Sequence, residues 1–160
     1  MLISELVQKK LVRAQLQSRT KDACISEIVG YIREVKTLPD ENAVLLGLFE
    51  REKNGSTGIG NGIGVPHARI ENLTEPILFF GISKEGIEFS ALDGKPVNIV
   101  MLLLAPVTDI GNSLKILANL ARMINDKYFT IQLLNVSSDE ELYSILKKGS
   151  LDKERAHSLH

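Results

Sequence analysis

Residues 97–104 read VNIVMLLL, and this run constrains the fold more than any other part of the chain. A continuous apolar run of this length, preceded by the Asp93-Gly94 turn signal, reads as a central strand buried on both faces. Before it, Pro76 opens a strand over residues 77–83, and Val12, Ala14 and Leu16 alternate with Arg13, Gln15 and Gln17 as a half-buried strand. Helical periodicity appears between these segments. Leu2, Leu6 and Val7 suggest a short helix. Thr20 is placed to cap a helix to Val35, with Ile25, Ile28, Val29 and Ile32 on one face. Leu38-Pro39-Asp40 ends it, and a second helix over residues 41–52 turns Val44, Leu45, Leu48 and Phe49 inward. Leu114, Leu117, Ala118, Ala121 and Ile124 form the expected buried stripe of another helix. A short helix is expected over residues 126–134. Ser138 with Glu141 then makes a capping box for a last helix through Lys147. Interleaved strands and helices predict an α/β fold, a sandwich of a mixed β-sheet flanked by helices. One domain is expected over residues 1–148, followed by a loose polar C-terminal tail over residues 149–160.

Residues 55–69 read GSTGIGNGIGVPHAR. Four glycines alternate with Ile59, Asn61 and Ile63, and the run closes on Val65, Pro66 and His67. Glycine permits φ > 0 and close backbone approach, and successive N–H groups in such a loop can form a concave anion site. The common glycine motifs do not fit. A dinucleotide fingerprint from Gly58 requires glycine where Ile63 stands, and one from Gly60 requires it where Val65 stands. A Walker A loop requires G-K-[ST], which is absent. What remains is a glycine loop joined to an imidazole whose ordinary pKa, about 6.5, leaves a nucleophilic nitrogen at neutral pH.

Gly60, Gly62 and Gly64 are read as shaping a phosphoryl-binding backbone. Asn61 is read as tolerating an unusual backbone angle. Arg51 ends the helix that leads into the loop, where it either complements the helix terminus or presents a planar fork to phosphate oxygens. Ser56 and Thr57 either donate to phosphoryl oxygens or serve turn chemistry beside Gly55. Glu52 is expected to be solvated, and Arg69 is a weaker candidate. His157 and His160 read as solvated tail residues, and no cluster has metal-ligand spacing.

The segment REKNGSTGIGNGIGVPHAR resembles the phosphorylation-site signature of enzyme IIA domains of the bacterial phosphoenolpyruvate-dependent sugar phosphotransferase system, in its mannitol, fructose and nitrogen-regulatory class. EGIEFSALDGKPVNIVMLLLAP, LKILANLARMI and SSDEELYSIL agree with it in order and spacing. The resemblance implies an enzyme IIA mannitol/fructose-like fold and a phosphotransferase whose His67 accepts phosphate from an HPr-type phosphocarrier protein. His67 would then pass it to an enzyme IIB domain in sugar transport. It also implies that Arg51 lies near the phosphohistidine. A nitrogen-regulatory member would instead act on a regulatory target protein. The family's second histidine, just before the helix at Leu114, is replaced here by Ser113, which inherits the phosphoryl-binding position. A phosphohistidine donor needs neither nucleotide nor Mg²⁺, so no cofactor and no metal are expected.

Composition sets the remaining bounds. The chain has 160 residues and a net charge of −1, so no basic footprint points to nucleic acid. Its single cysteine, Cys24, excludes an intrachain disulfide and reads as a small core residue. The N-terminus lacks a long apolar segment and the run at residues 99–106 is too short to span a bilayer, so a cytoplasmic protein without direct membrane insertion is expected.

Overall fold

The computed structural model describes residues 1–158. The chain opens with helix α1 (Ile3–Leu6), a short 3-10 turn, and strand β1 (Val12–Arg13). Helices α2 (Lys21–Val35) and α3 (Glu41–Lys53) follow. Strands β2 (Gly58–Gly60), β3 (Ile63–Gly64), β4 (His67–Ile70), β5 (Ile77–Ile87) and β6 (Val97–Pro106) come next. Helices α4 (Ile110–Ile124), α5 (Lys127–Leu134) and α6 (Asp139–Ser158) complete the described chain.

The strands form one mixed six-stranded sheet in the order β1-β5-β6-β3-β2, with β4 also pairing with β6. β5 runs antiparallel to β6, whereas β3 and β4 run parallel to it in series. The expected central strand is therefore present, and apart from Asn98 every residue of β6 is buried. Its side chains alternate between two cores. Ile99, Met101, Leu103 and Ala105 meet Ile116 and Leu120 of α4 and residues of α1, α5 and α6. Val100, Leu102 and Leu104 meet Ile25, Ile28 and Ile32 of α2 and Val44 and Leu48 of α3. Helices thus cover both faces, as the apolar run requires. Cys24 is fully buried, and burial pushes its thiol up to about 12. It is an inert core residue.

The helix starts realise the local capping signals unevenly. Asp40 caps α3 by accepting from the Ala43 N–H at 3.2 Å. Thr20 precedes α2 but makes no side-chain cap; its backbone bridges to Glu88 instead. Ser138 accepts from the Glu141 N–H at 3.1 Å, while the Glu141 carboxylate reaches Ser137, so the expected box closes on only one side.

The strand expected to alternate through Leu16 is short, only Val12–Arg13, and two expectations about the helices' orientation and extent fail. The buried stripe of α4 consists of Ser113, Ile116, Leu120 and Met123, so the helix is rotated by one position, about 100°, from the expected face. The last helix does not stop at Lys147 but continues to Ser158. The helix is tied down at Lys147 and along its extension. Glu154 accepts from the Ser4 N–H and hydroxyl at 2.9 and 2.6 Å, Lys147 donates to the Ser4 carbonyl, and Lys153 pairs with Asp126 at 2.8 Å. Gly149, where the tail was expected to begin, is a close-packing position under the Phe129 ring.

A Cβ on Gly149 would overlap that ring, with Cδ2 and Cζ at 3.0 Å. Gly149→Ala is expected to cost about 1–3 kcal/mol through overpacking. A thermal melt should show a loss of several degrees, and an unchanged Tm would contradict this packing.

Candidate functional site

His67 is the first residue of β4 and pairs with Leu103, while Ala68 pairs with Leu104. Neighbouring strand residues in register share a face. Ala68 packs with α2 and α3, so His67 points to the opposite face, the one that carries α4. β4 pairs with β6 alone. Arg51, near the end of α3, therefore reaches the imidazole at an open sheet edge.

Both ring nitrogens have defined partners. Nδ1 lies 2.7 Å from the Val65 carbonyl. Nε2 lies 3.3 Å from Nε of Arg51. A carbonyl only accepts and a guanidinium only donates. Nδ1 must therefore carry the proton, which leaves the lone pair on Nε2. Arg51 Nη1 also donates to the Gly55 carbonyl at 2.8 Å, which holds the guanidinium in place. Burial pushes the His67 pKa below its usual 6.5, the Val65 carbonyl opposes the shift, and the positive charges of Arg51 and Arg69 reinforce it against Glu52. The neutral, nucleophilic form is the favoured one.

The glycine loop is built differently from the expected anion cradle. β2 and β3 form a hairpin whose turn has Gly60 at φ 100°, Asn61 at φ 58° and Gly62 at φ 77°. Asn61 thus adopts the unusual angle expected of it. The Asn61 N–H donates to Asp93 at 3.0 Å, and the Gly62 carbonyl accepts from Asn98 and Ile99 at 2.7 and 2.9 Å. Gly64 is held by packing, since a Cβ there would sit 3.3 Å from Phe89 and Val97. In register, Gly64 faces Val100 and His67 faces Leu103, so even this nearest glycine lies roughly 10 Å from His67 along the strand. Gly60 and Gly62 are farther still. These glycines make a hairpin that attaches β3 to β6.

Ser56 donates its hydroxyl to the Phe89 carbonyl at 2.7 Å and accepts from the Gly58 N–H at 3.0 Å, which is turn chemistry. Thr57 is buried, and both its N–H and its hydroxyl donate to Glu52. Glu52, expected to be solvated, is buried instead, with Lys21 Nζ 3.4 Å away. Ser113 lies on the α4 side with His67, but it is buried and its hydroxyl donates to the Asp109 carbonyl at 2.9 Å. Of the expected site residues, only Arg51 is bonded to His67. Val65 was not expected, and no sequence signal marks a backbone carbonyl. His157 sits exposed at the end of α6, 3.4 Å from Arg122, and His160 lies outside the described residues. Among the described residues, no helix is long and apolar enough to cross a membrane.

Residues 5–149 match the family described as phosphoenolpyruvate-dependent sugar phosphotransferase system, EIIA 2. The chain belongs to this family. A fructose-specific EIIA component from Haloferax volcanii is 31% identical over 90% of this chain and 94% of its own length. A fructose-specific EIIABC component from Bacillus subtilis is 30% identical over 92% of this chain, which spans only 23% of that longer protein. Among solved structures, the nitrogen regulatory protein IIA-Ntr from Neisseria meningitidis superposes with a TM-score of 0.82 at 32% identity, covering 90% of this chain and 98% of that one. Enzyme IIAMTL from Escherichia coli, solved in complex with phosphorylated enzyme IIBMTL, shares the fold at a TM-score of 0.72 and 17% identity, over 86% and 94% of the two chains. Membership in a family described by its phosphotransferase system carries a phosphotransferase function in general terms.

The electrostatics predict a pH dependence. His67 should stay neutral as pH falls through 6.5 and gain its proton only lower. Removing the Arg51 charge, as in Arg51→Gln, should move that titration to higher pH. Proton NMR titration of the His67 ring checks both directions, and an unshifted or downward-moving midpoint in Arg51→Gln would contradict them.

Proposed function

We propose that this protein is a histidine phosphocarrier. His67 Nε2 accepts a phosphoryl group from the phosphohistidine of an HPr-type protein and passes it to a cysteine of an enzyme IIB in sugar uptake. The observation that carries this reading is the pair of bonds on the imidazole. Val65 takes the Nδ1 proton and leaves the Nε2 lone pair facing a guanidinium. In the transfer, the donor's N–P bond breaks as the bond from Nε2 to phosphorus forms, and the donor nitrogen recovers its electron pair. Positive charge grows on the His67 ring, and the Nδ1–H bond to Val65 offsets it. At 3.3 Å the Arg51 Nε contact is long, so a phosphoryl oxygen can take over that donor while the Gly55 carbonyl still anchors Nη1.

An apolar docking surface is supported by the rotation of α4. Ile110 and Leu114 are 46% and 56% exposed, beside Val107 at 38%. Ile110 and Leu114 belong to α4, which covers the side of the sheet to which His67 points. A carrier that exchanges partners needs such a surface to exclude water around the transferred group. On this reading the protein acts in the cytoplasm.

A second reading is a nitrogen-regulatory protein that binds its targets according to its phosphorylation state. Ser113 favours it. Its hydroxyl is already used by Asp109, so it offers no free donor to hold a phosphoryl group in flight. Slow onward transfer harms a transport component more than a switch.

Incubation with enzyme I, HPr and phosphoenolpyruvate, followed by intact mass, tests the proposal. One acid-labile, base-stable phosphoryl group per chain is expected, and none in His67→Gln. Full labelling of that variant would identify another nucleophile. Ser113→His is expected to speed transfer to an enzyme IIB domain, and equal rates would remove the argument for the regulatory reading.

A further inference from the structure

Glu52 follows Arg51 on α3, yet its carboxylate turns into the protein. Oε2 accepts from the Thr57 N–H at 3.1 Å, and Oε1 accepts from the Thr57 hydroxyl. Lys21 Nζ, at the start of α2, lies 3.4 Å from Oε2. Burying a carboxylate is costly unless it is paired and hydrogen-bonded, and here it is both. Joining a helix to a turn does not require a buried charge, because the backbone already closes this corner through Gly55 N–H to the Glu52 carbonyl at 3.1 Å.

From this clasp, bonds lead to both nitrogens of His67. The Thr57 carbonyl accepts from the Val65 N–H at 3.0 Å, and the Val65 carbonyl takes the proton of His67 Nδ1. On the other side, the clasp closes the loop over residues 52–57 that carries the Gly55 carbonyl. That carbonyl anchors Arg51 Nη1 at 2.8 Å, and Arg51 Nε meets His67 Nε2. We infer that Glu52, acting through Thr57, is the positioning residue of the site: its clasp sets the partner of each imidazole nitrogen, and so the tautomer and aim of His67. It touches neither the imidazole nor the phosphoryl group. For its effect on transfer, this role rests on His67 being the phosphoryl acceptor. Its effect on the ring does not depend on that.

Glu52→Gln and Thr57→Val are near-isosteric and remove the charge or the hydroxyl with little change of volume. Thr57→Ser keeps the hydroxyl. Each is measured in two ways, beside a core truncation, Ile28→Val, as a control for stability alone. The first measurement is the imidazole ¹⁵N spectrum of the unphosphorylated protein, which reports the tautomer. The second is single-turnover transfer from phosphorylated HPr.

Glu52→Gln and Thr57→Val should each populate the Nε2-protonated tautomer and slow acceptance by about tenfold or more, as expected for a misplaced reacting group. The double variant should be no slower than the worse single one, because both break the same clasp. Thr57→Ser and Ile28→Val should keep the wild-type tautomer and rate. Wild-type ¹⁵N spectra in folded Glu52→Gln and Thr57→Val would overturn the proposal, as would equal slowing in Ile28→Val. Wild type that takes no phosphate would defeat the phosphocarrier reading alone, since the spectra still decide the role of Glu52.

Discussion

Strand β6 has almost no contact with solvent, and the rest of the molecule is arranged around that fact. A strand buried on both faces needs hydrogen-bonding neighbours and apolar cover on each side. β5 supplies the neighbour on one edge, and β3 and β4 share the other. Sharing an edge makes β4 a short strand with an open side. His67 opens that strand, so it is fixed by β6 through register and still reachable from outside. The pleat then decides the rest. Ala68 goes under α3, His67 goes to the side of α4, and the end of α3 brings Arg51 round to it.

The site works by restricting an ordinary side chain. A free imidazole titrates near neutrality and exchanges its proton between two nitrogens. Here burial and two arginines favour the neutral ring, and the Val65 carbonyl takes up its one proton. In the proposed transfer, the same carbonyl would stabilise the ring as it gains phosphorus and positive charge. A backbone acceptor suits this role because β3 and β4 hold it in place at no cost in side-chain entropy.

Much of this was legible in the chain. The apolar run at β6, the periodicity of α2 and α3, and the resemblance around His67 lead to the fold and to the Arg51 and His67 pair. The failures have physical causes. Both faces of α4 carry apolar residues, so periodicity favours the Leu114 stripe over a rival it cannot exclude, and tertiary contact buries Ile116 instead. The glycines looked like a ligand cradle, but a hairpin turn with positive φ and a tight approach to Phe89 require the same residue. Glu52 reads as a surface residue beside two other charges, and only the fold brings Thr57 back across the helix end to meet it. The extension of α6 depends on Ser4 and Asp126, partners far away in sequence.

The most direct measurement is the nitrogen chemistry of His67 before and after phosphorylation. Long-range ¹H–¹⁵N correlation at neutral pH should show a neutral ring protonated on Nδ1. After phosphoryl transfer, ³¹P coupling should appear on Nε2, with Nδ1 still protonated. A ring protonated on Nε2 beforehand, or phosphorus bound to Nδ1, would contradict the assigned roles of Val65 and Arg51.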